Sequence, residues 1–406
     1  MKFGGTSVAD AERVKRAARR IVDKRVEGNA VVAVLSARGK TTDELIAMAE
    51  EISDAPHPRE MDMLLSSGER ISCALCAMAI NDLGHHAISL TGSQAGIVTD
   101  DSHTRARILD VRAERIKAAV EEGSIVLVAG FQGVSSTARN VTTLGRGGSD
   151  TTAVALASAL DASSCELYTD VPGVFTADPR VVPDARRLTS VSFDEMLEMC
   201  GCGCPKPEMR AVEFARTHGV PLHVRSSFTW EPGTRIEQED DTMEQAIISA
   251  VVHDATEVKL TVTRMPDHPG IAAALFRALA DRNVNVDMIV QNSALDGTTD
   301  ITFTVPKAEL AAGIEVCREQ AANLTGVEVL SDSAIAKVSL IGAGMKSNPG
   351  VAATMFEVLA KEDINIEMIS TSPIRISCVV RADRVEDAAQ ALHAAFGLGE
   401  RPVTVL

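Results

Sequence analysis

Aromatic residues are scarce in this 406-residue sequence: ten Phe, one Trp and one Tyr, 3% in all. Single-stranded nucleic acid is held by stacking bases on aromatic rings, so a binder of that kind has too few platforms here. Positive charge is also short, with 40 Lys and Arg against 56 Asp and Glu and a net charge of −16. That balance excludes nucleic acid and anionic membranes as partners, and an anionic ligand needs a locally positive pocket. The longest apolar runs, such as Ile125 to Gly130, fall far short of the ~18 residues of a membrane span. The opening Met1-Lys2-Phe3-Gly4-Gly5 has no apolar stretch of signal-peptide length. The cytoplasm is the expected compartment, with the eight cysteines as reduced thiols. No P-loop, G-x-G-x-x-G, H-E-x-x-H or G-x-S-x-G pattern occurs, so dinucleotide-binding and hydrolase readings lack support.

What is present is an ordinary globular balance, 45% apolar and 24% charged, in a chain long enough for two to four domains. Val31 to Leu35 and Ile125 to Ala129 read as buried strands. Val14, Ala17, Ala18 and Ile21 recur at helical spacing, with Arg13, Lys15, Arg16, Arg19 and Arg20 on the solvated side. Strand–helix alternation over the first half predicts an α/β domain with a mainly parallel sheet covered on both faces. We place it at 1–228, with an exposed linker over 229–245, where Trp230-Glu-Pro-Gly233 and the acidic Glu237 to Asp241 lie.

An internal repeat follows. Val258 to Val262 leads to Pro269-Gly270, a helix and Asn285-Val286-Asp287-Met288; Val338 to Gly342 leads to Pro349-Gly350, a helix and Asn365-Ile366-Glu367-Met368. Ile271, Leu275, Phe276 and Leu279 match Val351, Met355, Phe356 and Leu359. Each unit reads as βαββαβ, a ferredoxin-like fold, over 246–330 and 331–406, with terminal strands open to exchange between them.

Four glycine turns follow strands in the first half: Gly4-Gly5-Thr6-Ser7, Ser36 to Thr42, Gly130-Phe-Gln-Gly133 and Gly145 to Asp150. Glycine admits a close ligand, and a helix N-terminus offers N–H groups to an anion; with Lys2, Lys40 and Arg146 nearby, a phosphate-rich ligand is indicated. Tyr168 to Arg180 is a strand entering a turn, equally readable as structure or as an adenine–ribose site. Ser66 to Arg70 reads as a helix start with Glu69 facing its own helix dipole, or as a carboxylate for an ammonium. Cys73 and Cys76 read as core thiols. Cys200, Cys202 and Cys204 could hold a soft metal, though no fourth ligand stands nearby.

Together these motifs resemble the aspartokinase family over essentially the whole chain, and the repeat resembles that family's paired ACT domains. The resemblance implies an amino-acid-kinase-type three-layer αβα sandwich with a mainly parallel sheet, followed by two ferredoxin-like ACT regulatory units. It implies transfer of phosphate from ATP with Mg2+ to the side-chain carboxylate of L-aspartate, the first step towards lysine, threonine and methionine. Lys2 and Asp150 are implied as catalytic. Lys2, Phe3, Gly4, Gly5, Ser36, Thr169, Asp170, Phe175, Thr176, Ala177, Asp178, Pro179, Arg180 and Lys206 are implied at ATP, and Thr42, Glu69, Arg146 and Ser149 at aspartate.

Feedback by lysine, threonine or both is implied through Asp267, Asn285, Val286, Asp287 and Gln291 in the first ACT unit. Val351, Ala352, Asn365, Ile366, Ser372 and Pro373 are the counterparts in the second. A homo-oligomer through the ACT units is implied, with the alternative of a separate small ACT subunit starting at Met243. Three positions depart from the family: Pro172 for Asp, Pro205 for a nucleotide-contacting Lys, and Pro373 for Glu. The first two bear on nucleotide affinity and the third on effector strength. The competing readings are a kinase of the same fold acting on glutamate, N-acetylglutamate, carbamate or UMP, and a non-catalytic amino-acid sensor.

Overall fold

Residues 1–238, 247–293, 296–322, 324–348 and 350–399 are described in a computed structural model. They fall into two units. One holds Met1–Val174, Arg187–Cys200 and the described residues from Pro205 to 238. The other holds Phe175–Arg186, Gly201–Cys204 and the described residues from 247 onward.

In the first unit the strands are β1 (Lys2–Phe3), β2 (Val32–Leu35), β3 (Ala87–Leu90), β4 (Ile97–Thr99), β5 (Ile108–Val111), β6 (Ile125–Ala129), β7 (Gln132–Ser135), β8 (Val141–Thr143), β9 (Cys165–Thr169), β10 (Ser190–Ser192), β11 (Leu222–Ser226) and β12 (Thr234–Glu237). Its helices are α1 (Ala11–Val26), α2 (Thr41–Ile52), α3 (Pro58–Asp82), α4 (Glu114–Glu121), α5 (Gly148–Ala159), α6 (Phe193–Gly201) and α7 (Met209–His218). Eight strands form the main sheet, ordered β10-β12-β11-β9-β1-β2-β6-β3. All its pairings are parallel except β11 with β12. Every residue of β6 is buried, as a central parallel strand requires. A second sheet, β5-β4-β7-β8, stands beside it.

Three sequence expectations need correction. Arg20 is not solvated: it is 3% exposed, with its guanidinium 4.0 Å from the Trp230 ring centroid and 5.1 Å from that of Tyr168, and it donates to Thr229 O. Stacking on two rings is what lets a guanidinium leave water. The helix read as opening at Ser66 begins at Pro58, a residue suited to a first turn, so Glu69 lies mid-helix with no helix dipole to complement. By length and composition α3 is apolar enough to cross a membrane, yet its buried face carries Asp62 and Glu69. Finally, the segment read as linker contributes β12, where Thr234 and Ile236 are fully buried.

The second unit contains β13 (Ala250–Asp254), β14 (Glu257–Pro266), β15 (Asp287–Ser293), β16 (Thr298–Pro306), β17 (Glu328–Asp332), β18 (Ile335–Ile341), β19 (Met368–Ser372) and β20 (Arg375–Arg381), with α8 (Ile271–Asp281), α9 (Leu310–Ala321), α10 (Val351–Lys361) and α11 (Val385–Ala395). Two antiparallel sheets result, β15-β16-β14-β17 and β13-β18-β20-β19. The seat that β17 fills in the first repeat is filled in the second by β13, which precedes β14 in the chain, so a strand from within 246–330 completes the sheet of the second repeat. Helices α8 and α10 bury Leu275 and Leu279, and Met355 and Leu359, at matching positions. Both begin after a left-handed glycine, Gly270 at φ 99° and Gly350 at φ 108°, a conformation that side chains disfavour.

Ile236→Ala removes a fully buried side chain from β12. It is expected to cost the first unit about 2–4 kcal/mol in chemical denaturation; a cost under about 0.5 kcal/mol would place this segment outside the core.

Candidate functional site

Parallel sheets present ligands at the carboxyl ends of their strands. The loops leaving β1, β2 and β9 meet there: Gly4 N donates to Tyr168 O at 3.2 Å and Ser36 N to Phe3 O at 3.1 Å. Lys2 and Asp150 are both buried and form an ion pair with Nζ 2.6 Å from Oδ1. Asp150 sits in the first turn of α5, whose free N–H groups favour a carboxylate. Burying two charges is tolerable only when each has the other at contact distance.

The Ser36–Lys40 loop is clamped by two glycines. A Cβ on Gly5 would come within 2.8 Å of Ala37 O, and one on Gly68 within 2.8 Å of Ala37 Cβ. This brings α3 against the loop, where Ala37 N donates to Glu69 Oε1 at 3.2 Å. Glu69 is 3% exposed and its other oxygen, Oε2, has no hydrogen-bond partner. Loss of water raises its carboxyl to about 7, against smaller lowering by its own backbone N–H and that of Ala37. An acceptor desolvated and left open is a costly arrangement unless a donor arrives.

On the other side Gly130 gives room to Ser149, whose Oγ would be 2.7 Å from a Cβ there. Arg146 projects into solvent at the tip of the same loop, its side chain 93% exposed, with Nη2 3.8 Å from Asp43 Oδ1; Asp43 is adjacent to Thr42 in α2. Lys2, Glu69, Ser149, Asp150, Thr42 and Arg146 are thus linked through one set of contacting loops.

The nucleotide positions divide. Phe3 stacks on Tyr168, ring centroids 4.8 Å apart, and Thr169 Oγ1 donates to Asp170 Oδ1 at 2.9 Å. Lys206 stands on the turn before α7. Phe175 to Arg180 are described with the second unit. There the Thr176 hydroxyl pairs with His393 Nε2 at 2.9 Å, Ala177 is packed in the core, and Arg180 is folded onto Asp178, Nη2 to Oδ2 2.6 Å. Among the described residues no group of three or more His, Cys, Asp or Glu is gathered as ion ligands. Cys202 is buried beside Arg375, Nη1 to Sγ 3.8 Å.

In the repeat region, each repeat's first-strand lysine reaches the acid of the other's Asn-x-Asp/Glu motif. Lys337 on β18, 1% exposed, donates to Asp287 Oδ2 at 2.8 Å and Glu257 Oε1 at 2.9 Å. Lys259 on β14 donates to Glu367. Burial alone would lower the Lys337 pKa, but Glu257 and Asp287 outweigh it and hold the ammonium charged. Of the other expected effector positions, Asp267, Gln291, Asn365 and Pro373 are exposed, Val286, Ala352, Ile366 and Ser372 are half-buried, and Val351 is buried in the core. Asn285 is held by Glu309, its N and Nδ2 at 2.6 and 3.2 Å from the carboxylate. Met243 lies outside the described residues.

Two carboxylates were missed in the sequence. Asp62, with no exposure, shares the buried face of α3 with Glu69; their seven-residue spacing would have shown it had the helix been started at Pro58. Glu208 caps α7 by accepting from Ala211 N at 3.1 Å and packs so tightly on Gly147 that a Cβ there would come within 2.1 Å of it.

Known proteins share this order of domains. Residues 1–226 match the amino acid kinase family, and 258–320 and 338–396 match the ACT domain. The aspartokinases of Mycolicibacterium smegmatis and Mycobacterium tuberculosis are 56% and 54% identical over 402 residues, covering 98% of this chain and 96% of theirs. Among solved structures, E. coli aspartokinase III in complex with aspartate and ADP (R-state) is 27% identical with a TM-score of 0.82, over 97% of this chain and 98% of that one. The same enzyme in complex with lysine and aspartate (T-state) is 28% identical with a TM-score of 0.76, over the same shares. An amino acid kinase domain followed by paired ACT domains, at this identity over this length, means that the chain belongs to the aspartokinase family.

Proposed function

We infer that Lys2, Glu69, Arg146 and Asp150 carry aspartokinase chemistry in this chain, converting L-aspartate and MgATP to 4-phospho-L-aspartate and ADP. The observation that carries the assignment is the buried, unpartnered Oε2 of Glu69, an acceptor suited to the α-ammonium of the substrate. Arg146, with Thr42 and Ser149, takes the α-carboxylate; a guanidinium fork matches that geometry. The side-chain carboxylate is already ionised at neutral pH, so attack on phosphorus needs no general base.

The barrier is repulsion between two anions, and catalysis is positioning plus charge neutralisation. Lys2, oriented by Asp150, and the backbone of Gly4 and Gly5 receive the transferring phosphoryl group, and Mg2+ enters with the nucleotide. Ser36, Thr169 and Asp170 face the nucleotide from the strand ends. The departures at Pro172 and Pro205 bear on nucleotide affinity. The eight free thiols suit a reducing cytoplasm.

Lysine is bound by the E. coli relative in its T-state, which supports lysine, threonine or both as effectors here, acting through the ACT units around Asp287 and Asn285. Inhibition requires the effector to bind one arrangement better than another. A homo-oligomer through these units, or a separate small ACT chain starting at Met243, belongs to the same proposal.

Aspartate-dependent ADP release is expected from the wild-type chain and its loss, by at least about a hundredfold in kcat, from Lys2→Ala, since removing one transition-state donor costs on that order. Equal inactivity of both, with amino-acid binding retained, would favour the sensor reading. Millimolar lysine or threonine is expected to lower ADP release and raise Tm, and Asp287→Ala to abolish both responses; no response to either amino acid would remove the effector assignment.

Glu69 gives a pH signature. Its folded pKa, about 7, lies above the ordinary 4.5. The folded state therefore holds the extra proton between these values, and stability falls as pH rises through that window. Glu69→Gln is expected to gain on the order of 2–3 kcal/mol over wild type at pH 8, an advantage that fades towards pH 4.5. Ammonium binding favours the ionised form, so the KM for aspartate is expected to fall as pH rises from 6 to 8. A flat profile in both measurements would show an ordinary, solvated carboxylate.

A further inference from the structure

We propose that Asp62 is a positioning residue that sets the spacing between Glu69 and Arg146, and so the fit of the enzyme to its amino-acid substrate; this rests on the roles given to those two residues above. Asp62 lies on α3 two turns before Glu69 on the same face, and it is fully buried. A buried carboxylate is retained only when donors satisfy it; one donor comes from the strand that leads to Arg146 and two from the 103–104 loop, where Thr104 O lies 3.3 Å from the place a Cβ on Gly145 would take. Thr143 Oγ1 donates to Oδ1 at 2.6 Å, Thr104 N lies 3.1 and 3.2 Å from the two oxygens, and His103 Nδ1 is 2.5 Å from Oδ2.

Thr143 is the last residue of β8, and Leu144 to Gly147 follow directly. One further tie joins α3 to the neighbouring strand β7 one turn on: Gln132, the register partner of Thr143, donates its Nε2 to Ser66 O at 2.9 Å. Arg210 closes the frame by donating to Leu144 O at 3.1 Å and Ala106 O at 3.0 Å. The loop that carries Arg146 turns on two left-handed glycines, Gly145 and Gly147 at φ 83° and 74°, and the arginine side chain stands in solvent. Its base, by contrast, is bolted to α3. The two arms that grip the ammonium and the carboxylate are therefore held by one helix, and Asp62 is the bolt. A misplacement of about 1 Å in such an arm costs on the order of a hundredfold.

The test is steady-state kinetics of full-length Asp62→Asn and Thr143→Val, each with a thermal melt, alongside Thr143→Ser. The expected result is a KM for aspartate raised at least tenfold in Asp62→Asn and Thr143→Val, a KM for ATP within twofold of wild type, and near-normal values for Thr143→Ser, which restores the hydroxyl. Discrimination against glutamate is expected to fall in the same two variants. Folded variants with unchanged aspartate KM, or with aspartate and ATP affected alike, would overturn the proposal. Should Asp62→Asn fail to fold, Thr143→Val decides, because it leaves the carboxylate its other donors. Absence of aspartate-dependent ADP release in the wild type would instead overturn the functional reading on which this rests.

Discussion

A carboxylate held out of water with one oxygen bonded and the other open is the constraint around which the first unit is organised. Glu69 reaches that state because α3 is pressed against the Ser36–Lys40 loop, and the approach is possible only because Gly5 and Gly68 carry no side chain on either flank of Ala37. The desolvation that makes the carboxyl reluctant to ionise also makes any arriving cation bind more strongly, since both effects follow from the same low dielectric. Lys2 and Asp150 show the complementary solution. Their charges neutralise each other at contact distance.

The parts of the fold legible in the sequence were those written in a simple period. β6 matches its apolar run residue for residue, the core face of α1 is the one its spacing marked, and the repeat was visible because both Asn-x-Asp/Glu-Met and the helix faces recur in register. Misreadings had a tertiary origin. Arg20 reads as solvated because nothing local announces that Tyr168 and Trp230, far away in sequence, close over it. Ser66-Ser67-Gly68 looks like a helix cap, while the start of α3 is a proline eight residues earlier. Lys2, Glu69 and Arg146 stand out in the sequence only through their motifs, and Asp62 belongs to none of them. A lone acid in an amphipathic helix looks like surface until a hairpin packs against it.

The second unit repeats one idea twice and then crosses the copies. Each ferredoxin-like repeat places an acid at or just before the start of its second strand and a lysine on its first, and each lysine serves the other repeat's acid. The Lys337 ammonium is fully enclosed between Glu257 and Asp287 of the first repeat, so the second repeat without the first would leave that charge unanswered. Met288, Ile335, Met368 and Val379 form a small apolar cluster drawn from both copies. The pair is thereby one cooperative body rather than two beads.

The borrowed strand β13 has a consequence for how this region can be severed from the rest of the chain. β18 is flanked by β13 on one side and β20 on the other. A polypeptide beginning after Asp254 would expose the outer backbone donors and acceptors of β18 as a sticky border, inviting fibrous self-association. Any viable autonomous fragment, whether released by a protease or initiated within the message, must begin upstream of Ala250.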